Sequence, residues 1–430
     1  MQKLALIAPT NRERRALPKL AQELGLELIW DDFAGDYFDD FREQGAASEP
    51  MDIVALIEQA AKTYLQENLA GITSAVGYPG MSVVSVLATQ LELPGPSPQA
   101  IILCEHKYYS RVAQQQHVPE ATPKFWLVDP NNAAQALPDL TFPLFLKPVK
   151  SCMSMNAYVI DSEAEFIDKS SRALLPKRFF QPFDDILSTY TDLELSSGYL
   201  IAEELLHGKQ VSLEGYVFNG EVTVMGIIDA VFFPGSISFS RFQYPSKLPQ
   251  AVLARMEDIA RRFFTGMKYD NAMFNMELMY NEETDDIKII EINPKIASQF
   301  PDFFERVDGT SSYRVLLEIA AGRKPTFTHR AGDFKVAASC VLRIFEDQKV
   351  LKRPTAAQIA HVEELYPTTH VQIYASEGKY LSEQIQDSAS FRYGLVNLGA
   401  QSEEELLQRF EHCKQLLPFE FEPVREPALI

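Results

Sequence analysis

Two glutamates on neighbouring predicted strands are the residues of this chain best placed to do chemistry. Residues 273–295 read MFNMELMYNEETDDIKIIEINPK, a pattern that predicts a β-hairpin around a polar turn. If Asn281 pairs with Ile287, the antiparallel register sets Glu277 directly opposite Glu291. The apolar residues on either side of each glutamate indicate that one face of the hairpin is buried.

Facing carboxylates repel each other unless a cation lies between them. Strand alternation places Asn293 on the same face as Glu291, which adds an amide oxygen to the pair. Mg²⁺ is bound by a few protein oxygens and completes its shell with phosphate and water, so Glu277, Glu291 and Asn293 form a candidate magnesium site. The alternative is an acidic edge strand that is simply solvated.

Composition limits the classes of function. The chain has 430 residues, of which 46% are hydrophobic and 23% charged, as in a globular protein of about three domains. Its formal net charge is -19, which disfavours nucleic acid or an anionic membrane as a partner because both would be repelled. Locally clustered lysines can still bind ATP within such an acidic protein.

Cysteine and histidine patterns predict neither a redox centre nor a zinc site. Cys104, Cys152, Cys340 and Cys413 are widely spaced with no CxxC, and the histidines show no HExxH. The sequence has no apolar run of about 18 residues and no signal-type N-terminus, so we expect a cytoplasmic protein that does not enter a membrane.

The elements suggest three segments. Residues 1–100 alternate short apolar strands with helical spacing, which predicts an α/β domain with a parallel sheet. Residues 101–325 mix strands and helices and include the acidic hairpin, and residues 326–430 are rich in strands with a final helix opened by Ser402. The segment of about 140–206 contains its own strand signals and a helix opened by a capping box at Ser162 and Glu165, and we expect it to move as a lid.

An ordered set of charged residues surrounds this pattern and matches the needs of ATP-dependent phosphoryl transfer. Lysines neutralise phosphate oxygens, carboxylates hold Mg²⁺, and a cation near the acceptor stabilises developing charge. In chain order the set is Lys107, Lys147, Glu203, Gln210, Glu277, Glu291, Asn293 and Lys295.

In these motifs the chain resembles the ATP-grasp superfamily, specifically its carboxylate–amine ligase and biotin-carboxylase-like branch. The motifs are CEHKYYSR, FPLFLKP, LIAEELLHG and the hairpin that ends in EINPK. The resemblance implies an α/β and α+β protein. Its parts would be an N-terminal α/β (pre-ATP-grasp) domain, a two-subdomain ATP-grasp fold that clamps ATP, and a C-terminal β-rich α+β domain.

The resemblance also assigns roles to individual residues. Those expected to contact ATP are Lys107 and Lys147 on the phosphates, Glu203 on the adenine amine, the backbone of Glu204 and Leu206 on the base, and Gln210 on the ribose. Those expected to hold Mg²⁺ (or Mn²⁺) are Glu277, Glu291 and Asn293.

Three positions depart from the family pattern. The phosphate loop, KPVKSCMSMNAYVI, contains no glycine, although Ser151 and Ser154 can still donate to phosphate. Gln210 stands where the family usually has a ribose-binding glutamate. Lys295 stands where the EINPR-type motif has arginine, so it keeps the charge without the bidentate fork.

The resemblance leaves three functions open. The first is a ligase that activates a carboxylate as an acyl phosphate and joins it to an amine, with Lys295 and Arg241 holding the acceptor carboxylate or the oxyanion. The second is a biotin-carboxylase-like enzyme that activates bicarbonate, although the chain has no AMKM-type biotinyl segment. The third is a non-catalytic nucleotide-binding module. The partners would be small molecules, and a homodimer is possible.

Overall fold

A computed structural model describes residues 1–32, 50–151, 155–174, 177–384, 386–387 and 390–422. Within these ranges the strands are β1 (Gln2–Ile7), β2 (Leu26–Asp31), β3 (Leu69–Thr73), β4 (Phe125–Val128), β5 (Leu144–Pro148), β6 (Tyr158–Ile160), β7 (Leu200–Glu204), β8 (Lys209–Phe218), β9 (Glu221–Phe232), β10 (Phe239–Tyr244), β11 (Ala272–Asn281), β12 (Asp286–Asn293), β13 (Val336–Ile344), β14 (Lys349–Lys352), β15 (His370–Ile373), β16 (Gln386–Asp387), β17 (Ser390–Ala400) and β18 (Glu420–Glu422). The α-helices are α1 (Asn11–Leu24), α2 (Ile53–Tyr64), α3 (Ser82–Gln90), α4 (Pro98–Glu105), α5 (Lys107–His117), α6 (Glu163–Ser170), α7 (Lys177–Tyr190), α8 (Gln250–Gly266), α9 (Pro301–Asp308), α10 (Ser312–Ala320), α11 (Ala356–Leu365) and α12 (Glu403–Leu416).

A parallel sheet of order β2–β1–β3 forms near the N-terminus, as the alternation of strands and helices predicts. Helix α1 was not predicted, although its start is readable: Thr10 and Glu13 form a reciprocal capping box. Gly25 ends this helix at φ 66°, a left-handed conformation that glycine adopts without a steric penalty.

A second, antiparallel sheet has the order β4–β7–β5–β6. Its core is formed by buried side chains from β5, β7 and α6, including Leu146, Ala202 and Phe166. Helix α6 begins after Ser162, whose hydroxyl accepts from the backbone N–H of Glu165, as the sequence predicts. Strands β5 and β7 are paired neighbours in this sheet, which brings Lys147 and Glu203 together.

The chain divides into two compact units. The first comprises Met1–Met225, Leu248–Ser298 and Tyr313–Thr326, and the second comprises the remaining segments, with β9 passing from one to the other. In the first unit the antiparallel order β12–β11–β8 carries the predicted acidic hairpin.

The second unit contains the antiparallel order β10–β13–β17–β15, with β10 also paired to the end of β9. Its core lies between this sheet and helices α11 and α12, where Val362, Leu406 and Cys413 are buried. On α9, Asp308 is fully buried and accepts a hydrogen bond from the hydroxyl of Tyr244 at 2.7 Å.

The mixed α/β and α+β architecture expected from the sequence is confirmed. The boundaries near residues 100 and 325 and the lid of about 140–206 stay predictions. Cys104, Cys340 and Cys413 are free and buried, whereas Cys152 lies outside the described residues. Among the described helices, none combines the length and apolar character that crossing a membrane requires.

Candidate active site

At the tip of the acidic hairpin, the pairing of the two strands differs by one residue from the register that the sequence suggested. Asn281 pairs with Asp286 and Tyr280 pairs with Ile287, so the expected pairing of Asn281 with Ile287 is wrong. If the observed pairing at the tip continued without a shift, Glu277 would lie opposite Ile290 and not Glu291. The tip is fixed by Asn281, whose side-chain oxygen accepts from the backbone N–H groups of Glu283 and Thr284.

A β-bulge restores the expected pairing of the glutamates. Leu278 pairs with Ile289, but the next pair along the hairpin is Glu277 with Glu291. Ile290 is therefore the extra residue, and the register shifts by one at this point. The two carboxylates face each other, as the sequence predicts, although by a route that the sequence does not reveal.

Arg111, which sequence reasoning missed, holds the bulge in place. Its Nη2 donates to the carbonyl of Ile290 at 2.7 Å, and its Nε donates to Glu203 at 2.7 Å. Its Nη1 donates to Gln114 at 2.6 Å, and the side chain is almost fully buried. A signal for Arg111 existed in the sequence, because it follows Lys107 by four residues and so shares a face of α5 with that lysine.

Glu203 lies between two cations. Its Oε1 binds Arg111 at 2.7 Å and its Oε2 binds Lys147 at 2.7 Å. Burial alone would raise the pKa of Glu203, but Arg111 and Lys147 outweigh it and lower this pKa to about 2. Burial lowers the pKa of Lys147, and the charges of Arg111 and Lys107 add to this effect, which outweighs the opposing charge of Glu203. Positive charge therefore exceeds negative charge here, an environment that favours an anion.

The facing glutamates have the opposite balance. Burial and the charge of Glu291 raise the pKa of Glu277, which accepts a hydrogen bond from the amide of Gln210 at 3.0 Å. Glu291 binds the ammonium of Lys107 at 2.7 Å. Burial opposes ionisation of Glu291, but Lys107 and Lys147 overcome it and lower its pKa. One proton or one further cation would thus relieve the pair.

The donor set is suited to a hard divalent cation that also contacts phosphate. Asn293 pairs with Asn275, two positions along the hairpin from the Glu277–Glu291 pair, so Asn293 lies on the same face. In the part of the chain that the structure describes, no group of three or more His, Cys, Asp or Glu side chains forms a complete metal site. Two carboxylates and an amide oxygen fit Mg²⁺, which takes its remaining ligands from substrate and water.

Lys295 lies beyond the end of β12, beside Gly77 and Glu105. Its backbone N–H donates to the carbonyl of Asn293 at 2.8 Å. A Cβ on Gly77 would lie 3.1 Å from Lys295 Cδ and 3.5 Å from Glu105 Oε1, so this glycine allows both side chains to approach. The charge of Lys295 also opposes the rise in the pKa of Glu277.

Other residues predicted from the sequence lie in less direct positions. The backbone N–H of Glu204 donates to the carbonyl of Lys124 at 3.0 Å, and Leu206 follows the end of β7. The carbonyl of Ser151 accepts from Lys107 at 3.3 Å, whereas Ser154 lies outside the described residues.

Arg241 belongs to the second unit and is bound within it. It lies on β10 and donates to Gln243 at 2.9 Å and to Glu403 at 2.8 Å. Its expected role in holding the acceptor stays a prediction, as do the individual nucleotide contacts assigned from the sequence.

A comparison with protein-family models identifies one domain of the chain. An ATP-grasp domain model matches residues 140–300, which include β5, β7 and the acidic hairpin. Residues 140–300 thus form an ATP-grasp domain. The resemblance seen in the sequence motifs is thereby confirmed.

Solved structures show a similar fold over nearly the whole chain. An L-amino acid ligase from Bacillus licheniformis has a TM-score of 0.72 and 15% identity, covering 98% of this chain and 99% of its own. The biotin carboxylase domain of 2-oxoglutarate carboxylase from Hydrogenobacter thermophilus, solved with MgADP, ADP and bicarbonate, has a TM-score of 0.66 and 14% identity, covering 98% and 91%. N5-carboxyaminoimidazole ribonucleotide synthetase from Thermotoga maritima has a TM-score of 0.64 and 14% identity, covering 98% and 100%. A search of curated protein sequences finds no match.

Proposed function

We propose that this ATP-grasp protein is an ATP-dependent ligase that joins a carboxylate to an amine and releases ADP and phosphate. The observation that carries the proposal is the facing Glu277–Glu291 pair beside Lys107 and the Lys147–Glu203 ion pair. A site with excess positive charge next to paired carboxylates suits a nucleotide triphosphate bound with a divalent cation.

Lys107 and Lys147 would bind the phosphates of ATP, and Glu203, Glu204 and Leu206 would lie along the adenine. Lys147 is suited to this role because burial lowers its pKa and an added anion would offset that effect. Glu277, Glu291 and Asn293 would hold Mg²⁺ (or Mn²⁺), which supplies neutralisation of the charge on the phosphate oxygens.

The chemistry proceeds in two displacements. A carboxylate oxygen attacks the terminal phosphorus of ATP, the bond from that phosphorus to the bridging oxygen breaks, and ADP leaves. The amine nitrogen then attacks the acyl carbon, phosphate leaves with the carbon–oxygen electron pair, and the amine loses a proton. Lys295 would stabilise the oxyanion formed between these events, because its charge lies close enough to act on Glu277 of the facing pair.

Similarity of fold favours a ligase over a carboxylase. The L-amino acid ligase matches at a higher TM-score than the biotin carboxylase domain and over a larger share of its own length. The carboxylase reading is supported by that domain's complex with bicarbonate, and it remains the second candidate. A non-catalytic module is disfavoured, since opposed carboxylates have no structural benefit without a cation.

A screen for release of ADP and phosphate tests the proposal. Purified protein with MgATP is given pairs of carboxylic acids and amines, including amino acids, and separately bicarbonate. We expect release only when an acid and an amine are both present. Release that needs bicarbonate alone would support the carboxylase, and absence of release with every pair would contradict the ligase proposal. Glu291→Gln serves as the inactive control.

A further inference from the structure

Residues 105–107 contact residues 149–151 next to the Lys147–Glu203 ion pair. The backbone N–H of Lys107 donates to the carbonyl of Val149 at 2.8 Å. The ammonium of Lys150 binds Glu105 at 3.2 Å, and the ammonium of Lys107 donates to the carbonyl of Ser151 at 3.3 Å. The junction of α4 and α5 therefore holds the chain at three successive positions as it leaves β5.

Lys150 provides the strongest of these attachments. Its side chain is only 6% exposed, and its ammonium lies 4.4 Å from the ring centroid of Tyr78 and 4.5 Å from that of Phe183. Glu105 is 4% exposed, and the carboxylate oxygen that binds Lys150 also accepts a hydrogen bond from the hydroxyl of Ser82 at 2.8 Å. The carboxylate and the two aromatic faces together favour one position of the Lys150 ammonium. If the ammonium moved away, the carboxylate of Glu105 would remain buried without its counter-ion.

This attachment lies between groups that serve the proposed reaction. Lys147 precedes Lys150 by three residues and binds Glu203, and Lys107 binds both the Ser151 carbonyl and Glu291. The position of Lys150 therefore determines where Ser151 lies relative to the facing glutamates. A loop without glycine has less backbone freedom to find that position by itself.

We propose that Glu105 and Lys150 are positioning residues for the terminal phosphate of ATP: their buried ion pair fixes the chain from Lys147 to Ser151 beside Lys107 and Glu291. This inference rests on the proposed function, because it assumes that the site binds ATP. Misplacement of a positioning group by about 1 Å can lower a reaction rate by about a hundredfold, and a displaced segment would also lose its contacts with the terminal phosphate. The groups proposed to lie along the adenine, at Glu203, Glu204 and Leu206, are outside this segment, so their contacts would persist.

The test compares affinities for two nucleotides by calorimetry and needs no knowledge of the acid or amine. MgADP and the magnesium complex of a non-hydrolysable ATP analogue are titrated into the full chain. We expect the parent to bind the analogue more tightly than MgADP. In Glu105→Gln, Lys150→Met and the double variant, this preference should fall to about one, with affinity for MgADP nearly unchanged. The double variant should lose no more than the worse single variant, because both residues act through one ion pair.

Two controls separate positioning from a general loss of structure. Lys150→Arg keeps the charge between the rings and should retain most of the preference, whereas Lys3→Met removes a half-exposed ion pair with Glu67 and should retain all of it. If a single variant fails to fold, Ser82→Ala loosens Glu105 while leaving the ion pair, and it should give an intermediate preference.

The outcomes distinguish this inference from the proposed function. A parent chain that binds neither nucleotide contradicts the proposed function and this inference with it. A parent that binds both nucleotides equally, or variants that keep the parent's preference, would overturn only the role of Glu105 and Lys150.

Discussion

Glu203 and Glu277 are both glutamates on strands of the first unit, yet their surroundings differ in sign. Glu203 lies between Arg111 and Lys147, and those cations hold its pKa far below the usual range. Glu277 faces Glu291 across the hairpin, so burial and a like charge raise its pKa. The first carboxylate is satisfied by the protein itself. The second accepts a hydrogen bond from Gln210 but still faces a like charge, which a proton or a further cation would relieve.

This difference separates structural from chemical use of the same residue type. A buried carboxylate with two partners is costly to disturb, because removing it leaves two buried cations. A pair of like charges such as Glu277 and Glu291 is destabilising by itself. Its presence in the fold is explained if a cation binds to it. Four changes would break or sharpen the distinction.

The largest expected effect is on turnover when the pair loses one charge. Glu291→Gln should lower the rate of ADP release by about a thousandfold, since it removes a ligand for the cation and the counter-ion of Lys107. Steady-state rates at saturating MgATP, with a substrate pair found by the screen, measure this. Glu282→Gln is the matched control, because Glu282 is exposed at the tip of the same hairpin. Activity of Glu291→Gln near that of the control would refute the metal-site assignment.

The next effect is on stability and should distinguish the two glutamates directly. Glu203→Gln should lower the free energy of unfolding by about 3–5 kcal/mol, because Arg111 and Lys147 lose their shared counter-ion in a buried site. Glu277→Gln should be neutral or stabilising without Mg²⁺, since it removes a repulsion and keeps an acceptor for Gln210. Urea unfolding in EDTA compares them. Equal losses from both variants would show that the two carboxylates are used alike.

The sequence predicted the important pairing and missed what enforces it. The assumed pairing of Asn281 with Ile287 placed Glu277 opposite Glu291; that tip pairing is wrong, and the expected pair forms only because a bulge shifts the register. The alternation of apolar residues in 273–295 fits a hairpin with either register, because Ile289 and Ile290 are both apolar and either can face the core. The bulge that decides between them depends on Arg111, which binds the carbonyl of Ile290 from a helix distant in sequence.

Residues that act through tertiary contacts were invisible for the same reason. Gln210 was expected at the ribose from its place in the motif, whereas in the structure its amide binds Glu277. Glu105 and Lys150 lie within quoted motifs but were assigned no role there, because their importance comes from a shared buried position with Tyr78 and Phe183. Local elements such as α6 and α12 were predicted well, because their capping residues are adjacent in sequence.

A smaller effect should follow from the contact between Gln210 and Glu277. Gln210→Ala should raise the Mg²⁺ concentration needed for half-maximal activity by about tenfold, because the amide no longer orients the carboxylate. If Gln210 instead serves the ribose, the variant should raise the KM for ATP at saturating Mg²⁺. Titration of Mg²⁺ at saturating ATP, and of ATP at saturating Mg²⁺, separates the two roles. Lys209→Ala, at the exposed neighbouring position, provides the control.

The smallest effect is a pH dependence of opposite sign at the two glutamates. A raised pKa means that Glu277 favours the folded state when protonated, so its contribution is complete below the ordinary value of 4.5 and is lost as pH rises through the folded pKa. Glu203 has a lowered pKa, so its contribution is complete above 4.5 and is lost as pH falls towards about 2. Between pH 5 and 8, Glu277→Gln should therefore gain stability relative to the parent, by about 1 kcal/mol at most.

Unfolding of the parent and of Glu277→Gln in EDTA across this range measures that gain. Added Mg²⁺ should reverse it, because the cation stabilises the ionised pair of the parent and the variant has lost one of the charges that bind it. A difference between the two proteins that stays constant with pH would show that Glu277 does not titrate in this window. A difference that ignores Mg²⁺ would show that the repulsion is real but that the cation binds elsewhere. The contrast between the two glutamates would then be electrostatic only, without the chemical use proposed for the facing pair.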